Sequence, residues 1–167
     1  MIRKKIAAAA AACFCTYPSY ASDALAVEVG RGDDRTNLLR FAVVDRWDRE
    51  PRSLGRRWRL SGYWEFSAAV WDNATESTAD VGVTPVFRFE RGRFYLEAAI
   101  GLHLVQARIS AARVFSTAFQ FGDHVGIGWR SGHWDFAARV QHLSNAGIDH
   151  PNPGINFVLL RAQYELN

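Results

Sequence analysis

From residue 25 onward the chain alternates apolar and polar residues in stretch after stretch, and no other property constrains its fold as tightly. Period two is the signature of a strand with two unlike faces, because successive side chains point to opposite sides. Within 79–90, Val81, Val83, Pro85, Phe87 and Phe89 share one face, while Asp80, Gly82, Thr84, Arg88 and Glu90 share the other with Val86. Within 57–70, Trp58, Leu60, Trp64, Phe66 and Val70 oppose Arg59, Ser61, Tyr63, Glu65 and Ser67. Within 94–106, Phe94, Leu96, Ala98, Ile100, Leu102 and Leu104 oppose Tyr95, Glu97 and His103. Matching this template along the chain gives about eight strands: 25–32, 36–45, 57–70, 79–90, 94–106, 118–130, 133–145 and 156–166.

One apolar and one charged face per strand suits either a soluble sandwich or a membrane barrel. The strands are about ten residues long, as a tilted strand crossing a bilayer must be. Their even number also favours a barrel. The expected fold is all-β: an eight-stranded antiparallel transmembrane β-barrel of the outer membrane. Pro85 fits poorly, because proline removes a ladder donor. The turns at Arg91-Gly92-Arg93 and Ser131-Gly132 are tight, whereas the segments after the third, fifth and seventh strands are longer. Tight turns at the periplasmic end and longer loops outside is the outer-membrane pattern. The segment 46–56 is longer than that pattern predicts. The end of the seventh strand then falls at the extracellular rim.

The N-terminus supports export. Arg3, Lys4 and Lys5 precede a short apolar run, residues 6–15, and Ser19-Tyr20-Ala21 supplies small residues for cleavage after Ala21. Residues 1–21 are expected to be a cleaved signal peptide and 22–167 a single barrel domain. The run is too short to anchor the chain in a membrane. Cys13 follows only alanines, which argues against lipoprotein processing. Both cysteines, Cys13 and Cys15, lie inside this segment, so no thiol, disulfide or Cys-ligated metal is expected after cleavage. Of the 20 Lys+Arg, three leave with the signal, and 17 remain against 17 Asp+Glu. A formally neutral mature chain gives no reason to expect a nucleic-acid partner.

The seventh strand carries the candidate chemistry. Trp134, Phe136, Ala138, Val140, His142 and Ser144 share its apolar face. A base and a hydroxyl therefore continue a row of lipid-facing side chains, where they would meet a lipid substrate directly. Polar groups facing lipid are costly decoration, although headgroups and water lie near the rim. Serine becomes a nucleophile when a base takes its proton, and the base needs a partner that fixes its tautomer. Asn156 opens the apolar face of the last strand at the same rim and is a candidate orienter.

His142-Leu143-Ser144-Asn145-Ala146-Gly147, then Pro151-Asn152-Pro153-Gly154 and a final strand, resembles the signature of the outer-membrane lipid A 3-O-deacylase family. Phe119-Gln120-Phe121-Gly122-Asp123 through Gly126-Ile127-Gly128 is similar to that family's sixth strand. The motif region covers roughly the last third of the chain. The resemblance implies an esterase in the outer membrane of a Gram-negative bacterium. It would hydrolyse the 3-O-linked acyl chain of lipid A (lipopolysaccharide), without metal or cofactor. It implies Ser144 as nucleophile and His142 as general base. Asn145, Asn152 and the backbone around Ala146 and Gly147 are implied as substrate-positioning and oxyanion groups. The acid position of the family falls on Asn156, a departure. An asparagine carbonyl can orient an imidazole, as in Cys-His-Asn sets, but it does not offset an imidazolium charge.

Asp123 is a rival acid. If the Ser131-Gly132 turn sets the register, Asp123 lies opposite Val140 and diagonal to His142. Asp149 and His150 sit in the following loop, where contact with headgroup sugars competes with simple solvation. His103, His124 and His133 are spread over separate strands without metal-ligand spacing and read as interior or interface groups. Trp58, Trp64, Trp71, Trp129 and Trp134 fit interfacial belts. Arg139 and Arg161 fit an interior polar network. Two rival functions remain at this point. One is a non-catalytic structural or adhesive barrel, in which His142 and Ser144 are dispensable. The other is a soluble lipid carrier, in which Trp134, Phe136 and Val140 point inward. A homodimer would hide or share an exposed site.

Overall fold

The computed structural model describes residues 22–47, 51–73, 77–106 and 115–166. The expected signal segment lies outside the described residues. The strands are β1 (Ala24–Gly32), β2 (Asn37–Arg46), β3 (Arg52–Leu54), β4 (Trp58–Asp72), β5 (Ser77–Arg91), β6 (Phe94–Val105), β7 (Phe119–Ser131), β8 (Trp134–Ser144) and β9 (Ile155–Glu165). Antiparallel pairing runs β2-β1-β9-β8-β7-β6-β5-β4, and β2 pairs with β4 to close the ring. The result is a closed eight-stranded barrel. The ninth strand, β3, is a three-residue ribbon on the start of β4 and lies within the long segment that precedes it.

Closure leaves the eight wall strands without a free edge. It also explains the alternation. Val140, Leu160, Val125 and Ile127 are each more than half exposed on the outside, while Arg139, Arg161, Glu28, Glu65 and Glu97 are buried inside. Trp134 and Val140 face outward, so the soluble-carrier arrangement is excluded. A slip of one residue would turn Arg139 toward lipid, where an arginine costs about 2–4 kcal/mol at mid-bilayer.

The interior is layered. Arg139 bonds Glu97 (2.5 Å), Glu65 (3.1 Å), Glu28 and the Tyr63 hydroxyl (2.9 Å). Arg161 and Arg40 share Glu28 at 3.0 and 2.9 Å. Arg88 joins Asp135 (2.6 Å) and Glu97 (3.1 Å) and lies over the Tyr95 ring. This mesh fills the middle of the lumen. Ala24, Val44, Tyr63 and Val86 pack at the end with tight turns. Leu38, Trp71, Phe115, Leu143, Ile155, Phe157 and Leu159 pack at the other end, so Trp71 lies inside the barrel and not in an interfacial belt. There, Leu143 and Phe157 point in, which by strand parity turns His142, Ser144 and Asn156 out.

Two sequence details are resolved. Pro85 pairs with Trp64 on β4, but the β5–β6 ladder is interrupted between Val83↔Leu102 and Val86↔Ala99. The missing proline N–H falls in that gap, where the Thr84 side chain packs against Gly101 with no room for a Cβ. The β7–β8 turn is Gly132-His133, flanked by the Ser131↔Trp134 pair, and Gly132 has φ +63°. Glycine at the first central position suits a two-residue hairpin. The β5–β6 turn, Gly92-Arg93, repeats it with Gly92 at φ +63°.

Candidate active site

The site is assembled where β7, β8, β9 and the β1–β2 turn meet at the loop-bearing end. His142 and Ser144, both half-buried, sit two residues apart on the outer face of β8. Asn156 is the register partner of His142 on β9. Its Oδ1 lies 2.9 Å from His142 Nδ1. The expected base and its expected orienter are therefore in contact, whereas among the described residues no hydrogen bond joins Ser144 to the ring.

The hydrogen-bond network settles which way the Asn156 amide faces. Asn156 Nδ2 donates to Asp33 Oδ2 at 3.0 Å, and the Asn156 backbone N–H donates to the same oxygen at 3.0 Å. Turning the amide over would set its carbonyl oxygen against a carboxylate. Oδ1 therefore faces His142 and accepts from Nδ1–H. The other ring nitrogen, Nε2, is then the basic one. Gly154, at φ +58°, packs on the ring, and a Cβ there would stand 2.7 Å from His142 Cε1.

Asp33 was not found from the sequence. It lies in the turn at Asp33–Arg35, and it reaches β9 because β1 pairs with β9 when the barrel closes. Thr36 N–H donates to Asp33 O (3.0 Å) and Gly32 N–H to Thr36 O (2.7 Å), which fixes the turn. The signal available was an Asp-Asp pair between the first two strands, at the rim where the last strand begins.

The register of β7 on β8 differs from the sequence expectation by two residues. Asp123 is opposite His142, Phe121 opposite Ser144, and Val125 opposite Val140. The turn residues are Gly132-His133 instead of Ser131-Gly132, and moving a turn by one residue shifts the pairing by two. Asp123 is exposed, and among the described residues no hydrogen bond joins it to the His142 ring.

The loop after β8 folds on Asn145, which is fully buried. Its Nδ2 donates to Ser116 Oγ (2.9 Å) and Asp149 O (2.8 Å), and its Oδ1 accepts from Gly147 N–H (2.9 Å). Its backbone N–H donates to Asn152 Oδ1 at 3.1 Å. Ala146 and Gly147 both have positive φ, +54° and +78°, and Ile148 N–H closes their turn on Asn145 O. Asp149 and His150 are exposed and bond each other locally. His103 and His124 are buried in the lumen, His103 on Asp80 at 2.9 Å, and His133 stacks on Tyr164 at the far end. No group of three or more His, Cys, Asp or Glu side chains able to hold a metal occurs among the described residues.

Comparisons with known proteins bear on this arrangement. A sequence profile of the family described as Lipid A 3-O-deacylase (PagL) matches residues 39–165, a span that contains His142, Ser144 and Asn156. The lipid A deacylase PagL of Bordetella bronchiseptica is 32% identical over 164 residues, 93% of this chain and 90% of that protein. The lipid A deacylase PagL of Pseudomonas aeruginosa is 31% identical over 108 residues, 58% of this chain and 60% of that protein. The crystal structure of the outer membrane enzyme PagL matches with a TM-score of 0.76 at 24% identity, over 86% of this chain and 99% of that one. That last likeness speaks for the fold, whereas the profile match and the near full-length Bordetella relative speak for descent: this chain belongs to the lipid A 3-O-deacylase family.

Proposed function

We propose that this protein is an outer-membrane esterase that removes the 3-O-linked acyl chain of lipid A in the outer leaflet, using Ser144 and His142. The observation that carries the mechanism is the 2.9 Å contact of His142 Nδ1 with Asn156 Oδ1, two residues from a serine on the same lipid-facing wall. The contact leaves Nε2 as the base. Ser144 Oγ attacks the ester carbonyl carbon while its proton passes to Nε2. The tetrahedral intermediate collapses, the imidazolium returns the proton to the departing sugar 3-oxygen, and an acyl-serine remains. Water, deprotonated by the same nitrogen, then releases the fatty acid and restores Ser144.

Of the donors implied for the oxyanion, Gly147 N–H and the Asn145 amide are already bonded within the loop. We assign the role to Ala146 N–H and Asn152 Nδ2, since Asn152 uses its Oδ1 on Asn145. Donors of this kind contribute about 2.7–4 kcal/mol each in comparable hydrolases. The wall position supports the substrate class: the acyl chain stays in the lipid phase while its ester reaches the rim. The tight turns at one end and the loops at the other support placing that rim on the cell surface.

The test is mass spectrometry of lipid A from cells expressing wild type or Ser144→Ala at equal membrane abundance. Loss of one hydroxyacyl group with wild type alone is expected. Retained hydrolysis by Ser144→Ala would overturn the mechanism.

A further inference from the structure

We infer that Asp33 is a positioning residue of the active site, and that it supplies the negative charge which Asn156 lacks. The inference rests on the Ser144–His142 reading. One Asp33 carboxylate oxygen accepts both the Asn156 backbone N–H and its Nδ2, each at 3.0 Å. Asn156 Oδ1 in turn meets His142 Nδ1 at 2.9 Å. Carboxylate, amide and imidazole thus form one chain of hydrogen bonds leading to the serine's face of β8.

The amide has a definite job in this chain. It donates at one end and accepts at the other, so a carboxylate on Asp33 polarises it in the direction that favours a positive imidazole. Without Asp33 the amide could turn over and present Nδ2 to the ring, which would select the wrong tautomer. The arrangement extends the usual acid–histidine pair by one neutral link.

The turn that holds Asp33 is built for position more than for backbone comfort. Asp34 and Arg35 have φ of +53° and +58°, in the left-handed region that non-glycine residues rarely enter. Such conformations persist where the surroundings impose them and cluster at functional sites. The second carboxylate near the ring, Asp123 on β7, sits on the side of His142 away from Asn156 and does not take part in the chain.

The experiment measures kcat and KM for fatty-acid release from lipopolysaccharide by the purified full chain in detergent micelles. It compares wild type, Asp33→Ala, Asn156→Asp and the double variant, with Ser144→Ala as the inactive reference. Asp33→Ala is expected to lower kcat about tenfold or more while KM stays within about twofold, because a charge-assisted bond to the orienter is lost and no substrate contact is. Asn156→Asp alone is also expected to be slow, since it sets two carboxylates against each other. Adding Asp33→Ala to Asn156→Asp is expected to raise kcat, because the ring then faces a carboxylate directly. That reversal of sign is something a purely structural role for Asp33 would not produce. Asp33→Asn, which keeps the side chain's size and an acceptor oxygen, covers the case in which Asp33→Ala does not fold, and should fall between wild type and Asp33→Ala. Wild-type kcat in a folded Asp33 variant, or an equal loss in both backgrounds, would overturn the inference. Activity in Ser144→Ala would instead overturn the serine mechanism, and the role of Asp33 with it.

Discussion

Two polar networks lie on opposite sides of the same barrel wall, and they are wired differently. Inside, Arg139 alone reaches Glu28, Glu65, Glu97 and Tyr63, and Arg40, Arg88 and Arg161 close further loops through the same carboxylates. Outside, hydrogen bonds run in sequence from Asp33 to Asn156 and from Asn156 to His142. The mesh is shielded from lipid and water, and its connections are redundant. The line is half-exposed, and it ends at His142, two residues from Ser144 on an otherwise apolar face. A closed mesh suits holding the wall in shape, whereas a line suits the positioning role proposed for Asp33.

The difference can be broken from either side. The largest effect is expected outside: His142→Ala should lower hydrolysis about 10³-fold or more while the barrel keeps its fold, read as fatty-acid release beside circular dichroism. Inside, Arg139→Ala should leave Glu28, Glu65 and Glu97 short of a cation and reduce the unfolding free energy by about 3–5 kcal/mol. Urea unfolding in lipid vesicles measures this, and activity per folded molecule should stay within about twofold of wild type. An Arg139 variant of full stability but no activity would show that the two networks are not separate. The smallest effect is expected at Asp123→Asn, a change of less than about threefold in kcat, because the hydrogen bond to the ring comes from β9. A tenfold loss there would make Asp123 the working acid and sharpen the assignment the other way.

The barrel was legible because alternation is written into each strand separately. Val81 to Phe89, or Trp134 to Ser144, states its two faces without reference to any other part of the chain. Closure then adds little that a count of strands does not imply. The candidate site was legible only where it lies along one strand, as His142 and Ser144 do, or across one short loop, as Asn156 does. Register was not, because it depends on which two residues make a turn. Choosing Ser131-Gly132 over Gly132-His133 moved Asp123 by two places. Asp33 was out of reach for a different reason. It stands 123 positions from Asn156, and only the β1–β9 seam brings the two together. The Pro85 gap is a third kind of case. The sequence shows a lost donor, but not that the ladder facing it is already open.

The wall location of His142 and Ser144 has a consequence for how such a site is supplied. Among the described residues, two surface depressions, one lined by Trp47, Trp64 and Phe87 and one by Arg130, His133 and Trp134, lie at the far end of the barrel, away from His142 and Ser144. An ester that arrives along the wall is delivered by lateral diffusion in a film two molecules thick. Its effective concentration is then a mole fraction among neighbouring lipids, not an amount per volume of buffer. Diluting the film with inert lipid or detergent at constant total substrate should slow turnover, while diluting the whole suspension should not.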